Sequence, residues 1–174
     1  MPPGPVTTWL RRGAVLMVAA LFLAVALSPA GLSAGRLPMP DPLFALLILC
    51  RLRRPETVPA ALLIGLTLIS DLLRGGPLGL GTLGVLAISE ALLYYRDRIL
   101  RSGFFVEWAV VSAAFVVQLA FQFILLRLTF APCPSVEALA LYAASTALSY
   151  PVVLVLTRGL LPLRPTSTQG IPGT

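Results

Sequence analysis

The chain has 174 residues, of which 57% are hydrophobic and only 11% charged, with a formal net charge of +6 and a mean hydropathy of +0.92. A soluble domain of this length needs far more charge to cover its surface. The absence of histidine removes imidazole bases, His metal ligands and Ser-His triads together. Alternating β-barrel segments are missing as well, so the predicted class is an all-α, polytopic membrane protein.

Six apolar segments follow one another. The first runs from about Ala14 to Leu27 behind Arg11 and Arg12. Its Ser28-Pro29-Ala30 end resembles a signal-peptide cleavage region, and an uncleaved first span is the expectation. The second, about Met39 to Leu49, is short and entered through Pro38, Pro40 and Pro42. Its eleven to fourteen residues reach only about two-thirds of the hydrocarbon thickness, so it is expected to be shielded by neighbouring helices. The others cover about Val58 to Leu73, Leu78 to Tyr95, Phe104 to Leu128 and Val136 to Thr157.

The basic residues orient this threading. All thirteen are arginine. With the N-terminus in the cytoplasm, ten fall on the inner side (Arg11, Arg12, Arg51, Arg53, Arg54, Arg96, Arg98, Arg101, Arg158, Arg164) and three on the outer (Arg36, Arg74, Arg127). The positive-inside rule thus gives a compact bundle of about six transmembrane helices with both termini cytoplasmic. Residues 1–12 form an N-terminal segment, 13–158 one helical domain, and 159–174 a polar tail expected to be disordered. Removing the spans leaves no basic face, so the positive charge predicts orientation and not nucleic-acid binding. Cys50 and Cys133 fall near opposite faces, too far apart for a disulfide, and make no zinc site. No cofactor is expected.

Between the third and fourth segments stands SDLLRGGPLGLGT, residues 70 to 82. Its GLGTLG, Gly79 to Gly84, matches a dinucleotide fingerprint by letter, but no strand precedes it and no acid follows about 20 residues on. A tight outer hairpin with small residues for close helix approach is the better reading. Gly75 or Gly76 ends one helix and Pro77 opens the next, with Leu78 and Gly79 following. Asp71 is an intramembrane acid, a functional candidate by default, and Arg74 on the same helix face is placed to offset its charge.

Two further groups carry polar chemistry. Glu107, Gln118 and Gln122 lie within about 60° of one another on a helix and are expected to face other helices or a cavity. Glu107 also neighbours Trp108, which suits the cytoplasmic interface. Glu90 is expected to reach that interface or to pair with an Arg from an adjacent loop. The spacing gives no paired carboxylates and Ser70 has no suitable base, so no catalytic activity is expected.

Read together, PMPDPLFALLILC, the basic turn RLRRPE, ISDLLRGGPLGLGTL, YYRDR and FFVEWAV resemble MreD, the small multispan family of the bacterial rod-shape machinery. The most specific part is D-L-x-x-G-x-P-L-G, here Asp71, Leu72, Gly75, Pro77, Leu78 and Gly79. The resemblance covers about residues 38 to 112. It implies a non-catalytic protein of the inner membrane that binds the bitopic protein MreC. Through MreC it would act with the glycosyltransferase RodA, its transpeptidase partner and the MreB filament in side-wall peptidoglycan synthesis. The family also resembles the six-helix substrate-binding subunits of ECF-type transporters, so a small-molecule-binding subunit is the alternative, while a lipid-modifying enzyme has the least support. The Asp71–Gly79 hairpin and the turn of Arg53, Arg54, Pro55 and Glu56 are the expected partner contacts, being the loops that combine fixed backbone chemistry with charge.

Overall fold

The computed structural model describes residues 5–26, 40–74, 78–128 and 135–160, with side chains at 5–8 and 158–160 excepted. Gly75, Gly76, Pro77, Cys133 and the C-terminal tail lie outside the described residues, as do Arg36 and the Ser28-Pro29-Ala30 stretch. Seven helices and no strand are present among them: α1 (Pro5–Ala26), α2 (Pro42–Arg53), α3 (Ala60–Leu73), α4 (Leu80–Tyr94), α5 (Arg96–Arg101), α6 (Phe104–Leu128) and α7 (Val136–Leu160). Two of them, α6 and α7, are long and apolar enough to cross a membrane.

The short second segment is the axis of the fold. Every residue of α2 from Leu43 to Arg53 is buried, and the helix packs against α1, α4, α5, α6 and α7. A helix apolar over its first eight positions all round can bury every side only if others enclose it, so the expected shielding is found. Its start is written locally. Asp41 accepts the Phe44 N–H (3.2 Å), and Pro42 stands at a position whose N–H would have no helical partner. At its far end Arg51 and Arg53 sit against the negative pole of the helix dipole.

Named contacts show that six helices run alternately up and down. One end of the bundle gathers Arg12, the Arg51–Arg54 turn, Glu90, Arg96, Glu107 and Tyr150. The other gathers Asp41, Asp71, Arg74, Thr82 and Tyr142. The seventh helix, α5, was not expected: residues 96–101 read as an inner loop, yet they form one and a half turns packed on α6 and α2. Gly103, at φ 89°, breaks it from α6 in a conformation that L side chains rarely adopt.

Helix α7 continues through Pro151, which has no N–H to give to the carbonyl of Ala147. That carbonyl instead accepts the indole N–H of Trp108 from α6, at 2.8 Å. A potential buried orphan is thereby satisfied, and the two long helices are fixed in register. Trp108 is thus half-buried and structural, where the sequence suggested only an interfacial side chain. Between α2, α6 and α7, Phe44, Phe115 and Tyr142 stack in a chain of tilted rings 4.8 and 5.4 Å apart.

Candidate functional site

Polar chemistry collects at the two ends of α2. At the arginine-rich end, Arg53 grips Glu107 with two nitrogens: Nη2 reaches Oε2 at 2.8 Å, and Nε reaches Oε1 at 3.2 Å. The Tyr150 hydroxyl donates to the same Oε1 at 2.7 Å. Both charged side chains are at least nine-tenths buried, and a buried pair persists only with such full satisfaction. Arg51 pairs with Glu90 on α4, as the alternative reading of Glu90 required, although Arg51 lies in the helix rather than a loop. Arg96 donates to the Leu52 and Arg53 carbonyls, and Arg12 to that of Glu56 at 3.1 Å, closing the basic turn from two sides. Partial burial lowers the Arg54 pKa, neighbouring Arg11 lowers it further, and Glu56 opposes both.

At the other end the expected Asp71–Arg74 pair is replaced by two separate arrangements. Arg74 directs Nη1 to Asp41 Oδ2 (2.9 Å) and to the Tyr142 hydroxyl (3.0 Å), and Tyr142 itself donates to Asp41 Oδ2 (3.2 Å). Burial works against the Arg74 charge, but Asp41 and Tyr142 outweigh it and raise its pKa. The physical reason for the change of partner is helix direction. Arg74 is the C-cap residue of α3 and can reach across to the start of α2. Asp71, one turn earlier, meets the first turn of α4. There its Oδ2 accepts both the Thr82 N–H and the Thr82 hydroxyl, each at 3.0 Å. A carboxylate at a helix N-terminus is favoured by the dipole, which offsets the unfavourable end of its own helix.

The glycine motif divides by role. Gly79 has φ 86° and starts α4 in the left-handed region, with open space where a Cβ would stand. Gly81 and Gly84 provide the close approach. A Cβ at Gly81 would strike the Asp71 carboxylate, and one at Gly84 would strike the Gln118 amide. Leu78 is exposed.

These groups surround a small polar cavity of about 50 Å³ whose walls include Asp41, Thr67, Ser70, Asp71, Gln118 and Gln122. Gln118 is 2% exposed and donates Nε2 to the Gly81 carbonyl at 3.0 Å. A carbonyl cannot donate, so this bond fixes the amide orientation. Gln118 Oε1 is then left with no donor among the described residues. The polar stripe of α6 therefore faces the interior as expected but serves two places. Gln118 and Gln122 line the cavity, whereas Glu107, about 16 Å along the helix from Gln118, belongs to the Arg53 pair.

Two residues of the site escaped the sequence reading. Asp41 carried a usable signal, an acid between prolines just ahead of an apolar run, which marks an N-cap. Tyr142 carried none, since its partner lies 101 residues away. Among the described residues no cluster of three His, Cys, Asp or Glu could hold a metal ion. No family model, curated protein or solved structure matches the chain.

Proposed function

We propose that this chain is a multi-pass protein of the bacterial inner membrane and a non-catalytic member of the cell-elongation machinery, of the MreD kind, which holds MreC and through it the wall synthases. The observation that carries the membrane part is the inside-out distribution of polarity. Met17, Leu21, Val117, Ile124, Leu148 and Val155 project outward and are exposed, while the Arg53–Glu107 ion pair is enclosed. Such a surface suits hydrocarbon and would aggregate in water. The arginine-rich end is then cytoplasmic.

The shape-machinery part is supported by the motif residues that resemble MreD, and by what the geometry makes of them. Asp71 joins the last turn of α3 to the first turn of α4 through Thr82, so the two helix ends are presented together to a partner. The basic turn is held likewise by Arg96 and Arg12. Helix ends tied together in this way and lipid-facing helices are the contact surfaces that a bundle of this kind offers a bitopic partner.

Affinity purification of the tagged full chain from its native membrane tests this reading. MreC should be recovered with the wild-type chain and lost with Asp71→Ala at equal membrane abundance. Recovery of MreC with neither protein would remove the proposal.

The second reading, a subunit that captures a water-soluble metabolite, is favoured by the polar cavity alone. At about 50 Å³ that cavity is far below the roughly 300–1,000 Å³ of sites that enclose drug-sized ligands. Purified protein carrying a stoichiometric polar metabolite would reverse this ranking.

A further inference from the structure

The small cavity does not end at its polar walls. It shares Asp71, Arg74, Gln122 and Tyr142 with a second compartment of about 200 Å³. Gln122, Leu126 and Tyr142 are shared in turn with a third, of about 290 Å³, between α6 and α7. The remaining walls of the third compartment are apolar: Leu119, Phe123, Ala138 and Leu139. Polarity therefore falls across three adjoining compartments, from a tight recess where Asp41, Asp71, Arg74 and Gln118 meet apolar side chains to an apolar groove between α6 and α7.

The recess has surplus acceptors. Asp71 uses Oδ2 for both Thr82 bonds, and Oδ1 has no bond among the described residues. Gln118 Oε1 is buried without a donor. An unmet buried acceptor is costly, so Gln118 Oε1, together with the accessible and unbonded Asp71 Oδ1, suits a group that brings N–H donors and positive charge. Arg74 commits Nη1 to Asp41 and Tyr142, and its side chain is 40% exposed, so its outer edge is available to an anion.

We infer that these adjoining compartments bind a phospholipid with a primary ammonium headgroup, such as phosphatidylethanolamine. The ammonium donates to Asp71 Oδ1 and Gln118 Oε1, the phosphate meets the outer edge of Arg74, and one acyl chain occupies the α6–α7 groove. Charge complementarity selects this occupant. An ammonium balances Asp71, whereas an anionic headgroup without a donor would bring its charge against Asp71 and Asp41. The inference rests on the membrane reading above and is independent of the shape role.

The test is native mass spectrometry of the full-length protein after equilibration with mixed vesicles. These contain equal phosphatidylethanolamine, phosphatidylcholine and phosphatidylglycerol. Phosphatidylcholine keeps the charge and the phosphate but has no N–H donor. Loss of charge-assisted hydrogen bonds should therefore lower its retention about tenfold or more relative to phosphatidylethanolamine. Asp71→Asn should abolish that preference. Arg74→Gln should lower retention of both lipids and leave their ratio unchanged, because both carry the phosphate. Should Asp71→Asn not fold, the wild-type protein with the mono- and dimethylated headgroups still decides, since retention should fall as donors are removed. Equal retention of ethanolamine and choline lipids, preference for phosphatidylglycerol, or no retained lipid would overturn the inference. Carbonate extraction separates the two readings. A chain that resists extraction without the lipid preference loses the inference alone, and a chain released by carbonate loses the membrane reading as well.

Discussion

Arg53 and Glu107, 54 residues apart in sequence, meet in a two-pronged buried ion pair that ties the last turn of the central helix to the first turn of α6. The Arg51–Glu90 pair, on the other side of the same helix, joins the same residue types, but Glu90 is 57% exposed where Glu107 is 5%. Burial should set their worth. Glu107→Ala leaves a buried guanidinium without its partner and should cost about 3–5 kcal/mol; Glu90→Gln keeps a neutral acceptor beside the equally buried Arg51 and should cost less. Thermal unfolding of the two purified variants in the same detergent checks the contrast. Similar losses for both would contradict the assigned burial.

The Trp108–Ala147 bond and Pro151 form a second testable unit. Trp108→Phe keeps an aromatic ring but orphans the Ala147 carbonyl, at a cost of about 1–3 kcal/mol. Adding Pro151→Ala supplies the missing helical N–H and should remove most of that cost. A double-mutant cycle read by unfolding would show this coupling. Simple additivity would mean that the indole does not act as the carbonyl's donor.

Glycines in the same apolar region should respond oppositely. Gly84→Ala pushes its Cβ into the Gln118 amide, which is buried and tied to Gly81, and should cost about 1–3 kcal/mol. Gly65→Ala meets nothing within 4 Å and lies inside α3, so it should be neutral or stabilising by up to about 1 kcal/mol. Unfolding midpoints in detergent that rank the two variants the other way would refute the close approach of α4 and α6.

Much of the helical architecture was legible because hydrophobic runs are strong, local signals. The six apolar segments each fall on a helix and the proline-flanked entry to α2 lies where turn chemistry puts it, whereas α4 starts at Leu80 behind left-handed Gly79 and not at Pro77 as expected. The short helix α5 was not legible, since RDRILR is too brief for a periodic pattern and its position is set by packing. Partner choice at the site was hidden for the same reason. Sequence spacing put Arg74 beside Asp71, but the choice between Asp71 and Asp41 depends on where α2 begins relative to α3. Likewise Glu107, Gln118 and Gln122 share one face of α6, yet only the neighbouring helices determine that they serve different ends of the bundle.

The Asp71–Thr82 contact bears on the proposed role. Asp71→Ala removes two bonds that seat α4 against α3, and Gly79→Leu forces a side chain into a left-handed backbone. Both variants should still reach the membrane at about wild-type abundance while failing to support shape, measured by immunoblotting of the membrane fraction beside cell-width measurements. Two variants with fully intact rods would remove the hairpin from the function.

Depletion of the chain in the bacterium that carries it, followed by microscopy over several divisions, tests the proposed function most directly. We expect rods to widen and round up, with rescue by the wild-type chain and none by Asp71→Ala. Cells that keep their width and instead acquire a nutrient requirement would contradict it.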